Sequence, residues 1–368
     1  MNNWERVRLG EVMKLDIDAV EVNPTEQYKF AGVYSFGRGL FERENLDGGE
    51  TSYKFFHKLH ANTLVVSKVK GWEGAIGLVS EKFENCFLSP IYPTFRAVPS
   101  KADVRFIHWY LLQESVWKEM LKLSSGMGAR RNSISEERFL SLEIPLPPLA
   151  EQARIVARLE SLQRRVAEVR SLREEQARLM AGLVAGKFRE ITAEAPLRRM
   201  GDVAPLVRRP VDVKDDETYP ELGVRSFGKG TFHKPEVAGF EVGTKQLYHI
   251  HPGDLVFSNV FAWEGAIAVV KPEDAGRVGS HRFITCLADE AVVSAEFLCY
   301  HFLTTEGLKQ VQEASPGGAG RNRTLGLTKL VALKVPIPPL DAQREFAALL
   351  QKAEALRQAS AESEALLA

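Results

Sequence analysis

Arginine and lysine on glycine-rich segments can grip phosphates and the edges of guanine, and asparagine suits adenine. Three stretches of this chain have that character. Residues 51–72, TSYKFFHKLHANTLVVSKVKGW, hold Lys54, Lys58, Lys68 and Lys70 without one acidic residue, interleaved with Tyr53, Phe55, Phe56 and Trp72. Residues 120–135 hold Lys122, Arg130 and Arg131 beside Asn132, and residues 314–340 hold Arg321, Arg323, Lys329 and Lys334 beside Asn322, again with no acid. The whole chain carries 48 basic and 48 acidic residues, so its global charge selects neither nucleic acid nor membrane as a partner. Basic loops on a neutral body fit a reader of nucleic acid, with solvated basic loops as the plainer alternative.

Other chemistries fit poorly. SFGRG (35–39) and SFGKG (226–230) resemble the glycine-rich cofactor loop of amino-methyltransferases, and SPIYP (89–93) resembles their catalytic tetrapeptide. Ile91 stands where the second proline is needed, however, and the corresponding stretch later in the chain reads SHRF. GLVAGKF (182–188) is one residue short of a phosphate-binding loop and lacks its final Ser or Thr, so a helix terminus is expected there. His57, His60, His249 and His251 have no carboxylate or Cys partner at metal-ligand spacing. Cys86, Cys286 and Cys299 are odd in number without CxxC spacing, so buried free thiols are expected rather than disulfides or a zinc site. Neither a catalytic residue nor a metal ligand is assigned.

With 45% hydrophobic and 26% charged residues, the composition is that of a folded soluble protein. No apolar run approaches the roughly 20 residues of a membrane span, and MNNWERVRLG lacks a secretory core, so a cytoplasmic location is expected.

The elements that must position the basic loops are written twice. GWEGAIG (71–77) returns as AWEGAIA (262–268), a shift of 191 residues. At the same shift VRLGEV (7–12) falls on RRMGDV, GVYSFGRGLF (32–41) on GVRSFGKGTF, GMGARRN (126–132) on GGAGRNR, and IPLPPLAEQ (144–152) on VPIPPLDAQ. One shared offset implies two domains of one fold. TLVVSKV, AIGLV, DLVFSNV and AIAVV read as strands, while residues 103–123 and their copy SAEFLCYHFLTTEGLKQVQ read as an amphipathic helix. Each copy is thus an α+β domain. After each PPL a long helix begins, since proline is tolerated at a helix start. In the first, Ile155, Leu159, Leu162, Val166, Val169, Leu172, Gln176, Leu179 and Leu183 mark a coiled-coil seam ending near Gly186. The last helix offers Phe346, Leu349, Ala353, Leu356 and Leu367 as an intrachain partner, about ten residues shorter, leaving part of the first seam open for another subunit. Polar differences on the constant frame, Lys68 to Asn259, Lys70 to Phe261, Tyr34 to Arg225 and Asn132 to Arg323, suit two readers of different half-sites.

The layout resembles the specificity subunit of type I restriction-modification systems. The likeness is carried by IPLPPLAEQARIV (144–156), VPIPPLDAQREFA (335–347), LMAGLVAGKF and the repeated WEGAI, and it covers essentially the whole chain. It implies a target-recognition domain at 1–147, a spacer helix at 148–190, a second recognition domain at 191–338 and a second spacer helix at 339–368, with the helices antiparallel and the arrangement pseudo-twofold. It also implies that each domain reads half of an interrupted DNA site in the major groove. Two modification subunits that bind S-adenosylmethionine and methylate adenine N6 would dock on this chain. Restriction subunits using ATP and Mg could join. This chain itself would hold no cofactor and catalyse nothing. The candidate DNA-binding residues are Ser35, Lys68, Lys70, Trp72, Arg130, Arg131 and Asn132 in the first copy, and Arg225, Ser226, Lys229, Asn259, Trp263, Arg321, Asn322 and Arg323 in the second. The short final helix departs from the family layout. The alternatives are a stand-alone amino-methyltransferase, a DNA-binding defence or regulatory accessory without a methyltransferase partner, and a purely structural adaptor.

Overall fold

The β-branched runs of each copy form the centre of a four-stranded antiparallel sheet. A computed structural model describes residues 4–124, 132–317 and 323–365. The chain divides into two compact units, residues 1–168 and 169–368, with the division inside the longest helix. In the first unit Leu64–Val66 lies between Ile76–Leu78 and Thr94–Ala97, and Met13–Leu15 completes the edge. In the second, Leu255–Ser258 lies between Ile267–Val269 and Phe283–Cys286, with Leu206–Val207 at the edge.

The duplication holds at the level of single residue pairs. Phe95 faces Leu15 and Cys286 faces Leu206; Gly77 faces Val65 and Ala268 faces Val256. A two-stranded ribbon repeats likewise, with Val7 opposite Ile144 and Arg198 opposite Val335. A one-residue slip would invert every side chain of a strand, so matched registers at a constant offset require a common fold. One core packs Leu9, Leu64, Ile76, Phe95, Ile107 and Phe139; the other packs Met200, Leu255, Ile267, Phe297, Phe302 and Leu330.

Residues 103–123, expected as one helix, form two, Val104–Leu111 and Glu114–Leu123. The copy breaks at the same place into Ala295–Leu303 and Thr305–Glu313. Local bonds satisfy the groups exposed by the break. The Trp117 indole donates to the Leu111 carbonyl at 2.8 Å, and Thr304 Oγ1 accepts from the Gly307 N–H at 3.1 Å.

The long helix spans Leu149–Thr192, 44 residues or about 66 Å, and does not stop near Gly186. GLVAGKF is therefore helix interior. Beyond it Phe188 is buried against Phe297, Tyr300 and Phe346, at ring-centroid separations of 5.3, 5.0 and 5.5 Å. This burial outweighs the roughly 1 kcal/mol that each helical glycine costs. The helix Leu340–Ala365 packs against residues 169–192 within the second unit. Their direction is antiparallel: Arg170 pairs with Glu364 at 2.9 Å at one end, while Phe188 meets Phe346 at the other. The packed stripe differs from the expected one. Met180, Val184, Phe188 and Ile191 face the core with Leu349, Leu350 and Ala353, whereas Leu172, Leu179 and Leu183 are exposed. Leu356 is 41% exposed, and Leu367 lies outside the described residues.

The glutamine of each Pro-Pro-Leu-x-x-Gln segment ties its helix to its domain. Gln152, fully buried, accepts from the Asp103 N–H at 2.8 Å and donates to the carbonyls of Pro147 at 2.8 Å and Lys101 at 3.3 Å. Gln343 accepts from the Ser294 N–H at 2.9 Å and donates to Pro338 at 2.8 Å and Val292 at 3.0 Å. Among the described residues no helix is long and apolar enough to cross a membrane.

Candidate nucleic-acid interface

The SFG segments are the tips of β-hairpins. Val33 pairs with Leu40 and Val224 with Thr231, so residues 34–39 and 225–230 form equivalent six-residue loops, each closed by a bond from its first N–H to its last carbonyl at 2.9 Å. Each tip is fastened to the short 3-10 turn that carries the repeated tryptophan. Phe36 N–H donates to the Glu73 carbonyl at 2.7 Å and Gly37 N–H to that of Gly74 at 2.9 Å; the counterparts are Phe227 to Glu264 at 2.8 Å and Gly228 to Gly265 at 2.9 Å. The Ser35 hydroxyl meets the Glu73 carboxylate at 3.3 Å, and the Ser226 hydroxyl meets Glu264 at 3.1 Å. This contact accounts for the repeated string. Gly74 and Gly265 end their turns at φ 74° and 76°, and a Cβ on Gly74 would lie 2.5 Å from the Trp117 ring.

Fastening the tip imposes an unusual conformation on its aromatic residue. Phe36 and Phe227 sit at φ 63° and 62° and are 65% and 74% exposed. The left-handed region costs a residue with a Cβ about 1–2 kcal/mol. Neither phenylalanine was a candidate on residue type, although SFG is unchanged between the copies. Around them are cations: the Arg38 guanidinium lies 4.6 Å from the Tyr34 ring centre, Arg225 lies 4.8 Å from that of Phe232, and Lys229 Nζ lies 6.0 Å from that of Phe227.

A third segment bonds at position 68 or 259, just before the turn. Lys68 N–H donates to the Ile91 carbonyl, and its own carbonyl accepts from the Ile134 N–H, both at 2.9 Å. Asn259 repeats this pattern, bonding to the Arg282 carbonyl at 2.7 Å and accepting from the Leu325 N–H at 2.9 Å. The SPIYP and SHRF segments and the segments following the glycine-rich loops thus converge on one residue per unit.

The candidate side chains differ in how freely they are presented. Lys68 is paired with Glu136 at 2.7 Å, and the exposed Lys70 with Glu73 at 3.2 Å. Burial raises the pKa of the Glu136 carboxyl, but the Lys68 hydrogen bond and charge outweigh it and hold the net value below the ordinary glutamate range. Trp72 packs against the first core, and Trp263 donates its indole N–H to the Val260 carbonyl at 2.9 Å. The Arg323 guanidinium lies 5.2 Å from the Trp263 ring centre. Asn132 is half-buried, and Arg225 and Lys229 are exposed. Arg130, Arg131, Arg321 and Asn322 lie outside the described residues.

His60 bridges two carboxylates from separate elements. His60, without a carboxylate neighbour in sequence, lies between Asp18 at 2.8 Å and Glu84 at 3.2 Å. The Asp18 hydrogen bond raises its pKa above 6.5, against partial burial and with help from Glu84. Among the described residues no cluster of His, Cys, Asp and Glu could hold a metal ion. The three cysteines are free; Cys86 and Cys286 are buried, whereas Cys299 is intermediate in exposure. Burial pushes the thiols of Cys286 and Cys299 up to about 12.

Residues 1–175 match the sequence model of the type I restriction modification DNA specificity domain. A Methanocaldococcus jannaschii protein named as a type I restriction enzyme MjaX specificity subunit is 22% identical over 268 residues, 66% of this chain and 59% of that relative's length. The fold matches the HsdS subunit from Thermoanaerobacter tengcongensis with a TM-score of 0.63 at 21% identity, covering 99% of this chain and 93% of the other. It also matches a structure from work on assembly and conformational transition of the type I R-M system, with a TM-score of 0.68 at 22% identity, covering 100% and 95%. Residues 1–175 thus carry the type I restriction modification DNA specificity domain, and the second unit repeats its strand pairings in register.

Proposed function

We propose that the chain reads a two-part DNA target, one half with each unit, and recruits two subunits that methylate adenine N6 with S-adenosylmethionine. Restriction subunits using ATP and Mg can join the same complex. This chain binds no cofactor. The observation that carries the reading is the paired construction: tip, turn and third segment are bonded identically in both units while their polar side chains differ. Tyr34 becomes Arg225, Lys68 becomes Asn259 and Asn132 becomes Arg323. Under this reading Lys70, Arg225, Lys229 and the Trp263–Arg323 pair present themselves to DNA. Asn132 and Asn259 contribute base-edge groups, Trp72 underlies the first site, and Lys68 acts with Glu136. Ser35 and Ser226 brace the tips, and Arg130, Arg131, Arg321 and Asn322 belong to the same reading set. The exposed Leu172, Leu179 and Leu183 support docking of a partner helix.

Mapping N6-methyladenine in a genome that carries this chain and an adjacent modification subunit tests the proposal. The expected result is an interrupted motif with a fixed gap that disappears when this chain is deleted. A contiguous motif, or methylation unaffected by deletion, refutes it.

A further inference from the structure

We propose that Phe36 and Phe227 are stacking wedges, each pressing its ring against a base at one step of its own half-site and partly unstacking that step. The inference rests on the DNA-reading function above and names the contact that reading does not specify. Large exposed aromatics in the left-handed region are rare, because residues with a Cβ pay for that geometry and glycine or asparagine does not. Here the geometry occurs at equivalent positions in both units, although the flanking residues have changed from Tyr34 and Arg38 to Arg225 and Lys229. Two backbone bonds and a Ser–Glu contact hold each tip in place, and the ring is left facing solvent.

The surroundings decide the ligand. Arg38 and Lys70 lie near the first tip, and Arg225 and Lys229 flank the second. Glu73 and Glu264, whose carbonyls hold the tips, have their carboxylates engaged by the tip serines, and Glu73 is also paired with Lys70. A planar apolar ring among cations matches a polyanion that contains stacked planar rings. Apolar side chains inserted at base steps are an established way for proteins to unstack DNA.

The test uses the full chain with its modification subunits. The probe is a duplex of the target defined by methylation mapping, with 2-aminopurine replacing in turn each adenine other than the methylated one, which a methyltransferase extrudes by itself. Wild type is expected to raise 2-aminopurine fluorescence at one step in each half-site. Phe36→Ala is expected to abolish the rise in one half only and weaken binding about 5- to 150-fold, the range for losing one base–aromatic stack. Phe227→Ala should do the same in the other half, and Phe36→Trp should retain both signals. Phe36→Gly should lose the signal while its Tm stays level or rises, since glycine accepts the left-handed geometry. Equal affinity and fluorescence for the double alanine variant and wild type would overturn the wedge and leave the DNA reading intact. Loss of the modification subunits from Phe36→Ala during purification, with DNA binding unchanged, would mark the ring as a protein dock and also overturn it. A wild-type complex with no sequence-dependent DNA binding would sink both proposals.

Discussion

Replacing Gln343 by leucine removes three hydrogen bonds at a side chain that is 1% exposed, while nearly preserving its volume. The variant leaves the Ser294 N–H and the carbonyls of Val292 and Pro338 without that partner. Each such bond contributes about 1 kcal/mol net, and a polar group stranded away from water costs about 1–3 kcal/mol. Ser294 and Val292 are only half-buried, so water recovers part of the loss. The expected destabilisation is about 2–4 kcal/mol, read from urea unfolding. Trp263 is the sole tryptophan of the second unit, and its fluorescence reports the change locally. Gln343→Glu separates hydrogen bonding from shape. A carboxylate facing two carbonyls has its folded-state pKa raised above about 4.3. The variant should therefore lie closest to wild type below that pH and lose stability as pH rises through the folded value. A Gln343→Leu effect under about 0.5 kcal/mol, the size of an ordinary surface change, together with a pH-independent Gln343→Glu, would refute the clamp.

Asp254 is 1% exposed, takes two bonds from Arg209 at 2.7 and 3.1 Å, and accepts from the His251 N–H at 2.8 Å. Asp254→Ala should cost about 3–5 kcal/mol in denaturant unfolding; under 1 kcal/mol, roughly the value of a surface pair, would contradict it. His60 has a raised folded-state pKa and Glu84 a lowered one. The Tm advantage of wild type over His60→Gln should be fullest between about pH 4.5 and 6.5, shrinking above that window as His60 deprotonates and below it as Glu84 protonates. A constant difference from pH 5 to 9 would remove the imidazolium bridge. Arg323→Ala should weaken one half-site by about 1–3 kcal/mol if the guanidinium reads a base, with under about 1 kcal/mol lost in stability. Uniform weakening across all sequences would reduce it to a phosphate contact.

The duplication was legible because anchors spread along the chain share one offset, and the paired registers Val7–Ile144 and Arg198–Val335 follow from it. The face of the long helix was not. Leu172, Leu179 and Leu183 recur at helical spacing, but so do Met180, Val184, Phe188 and Ile191. Periodicity finds an apolar stripe without saying which neighbour covers it, and the aromatic cluster around Phe346 selects the second set. The helix runs through Gly186 for the same reason: a propensity cost of about 1 kcal/mol yields to tertiary burial. The backbone geometry of Phe36 was invisible in its residue type because it is imposed by the Glu73 carbonyl, 37 positions away. His60 looked unpartnered because Asp18 and Glu84 reach it from other elements.

Lys68 and Glu136, 68 positions apart, meet at 2.7 Å with side chains 34% and 26% exposed. Both differ in the second unit, where the aligned residues are Asn259 and Leu327. A charge pair in one unit thus corresponds to a neutral pair in the other, which makes the two positions one interchangeable element of the surface. Transplanting half of it should fail. Asn259→Lys alone places a half-buried ammonium without its carboxylate, whereas adding Leu327→Glu restores the partner. A double-mutant cycle on unfolding free energy should give a favourable coupling of about 0.5–1 kcal/mol, the value of a partly exposed pair. DNA selection by that unit should change more coherently in the double variant than in either single one. Coupling within about 0.3 kcal/mol of zero, with the two single changes in DNA preference simply adding, would show independent positions and dissolve the pair as a unit of specificity.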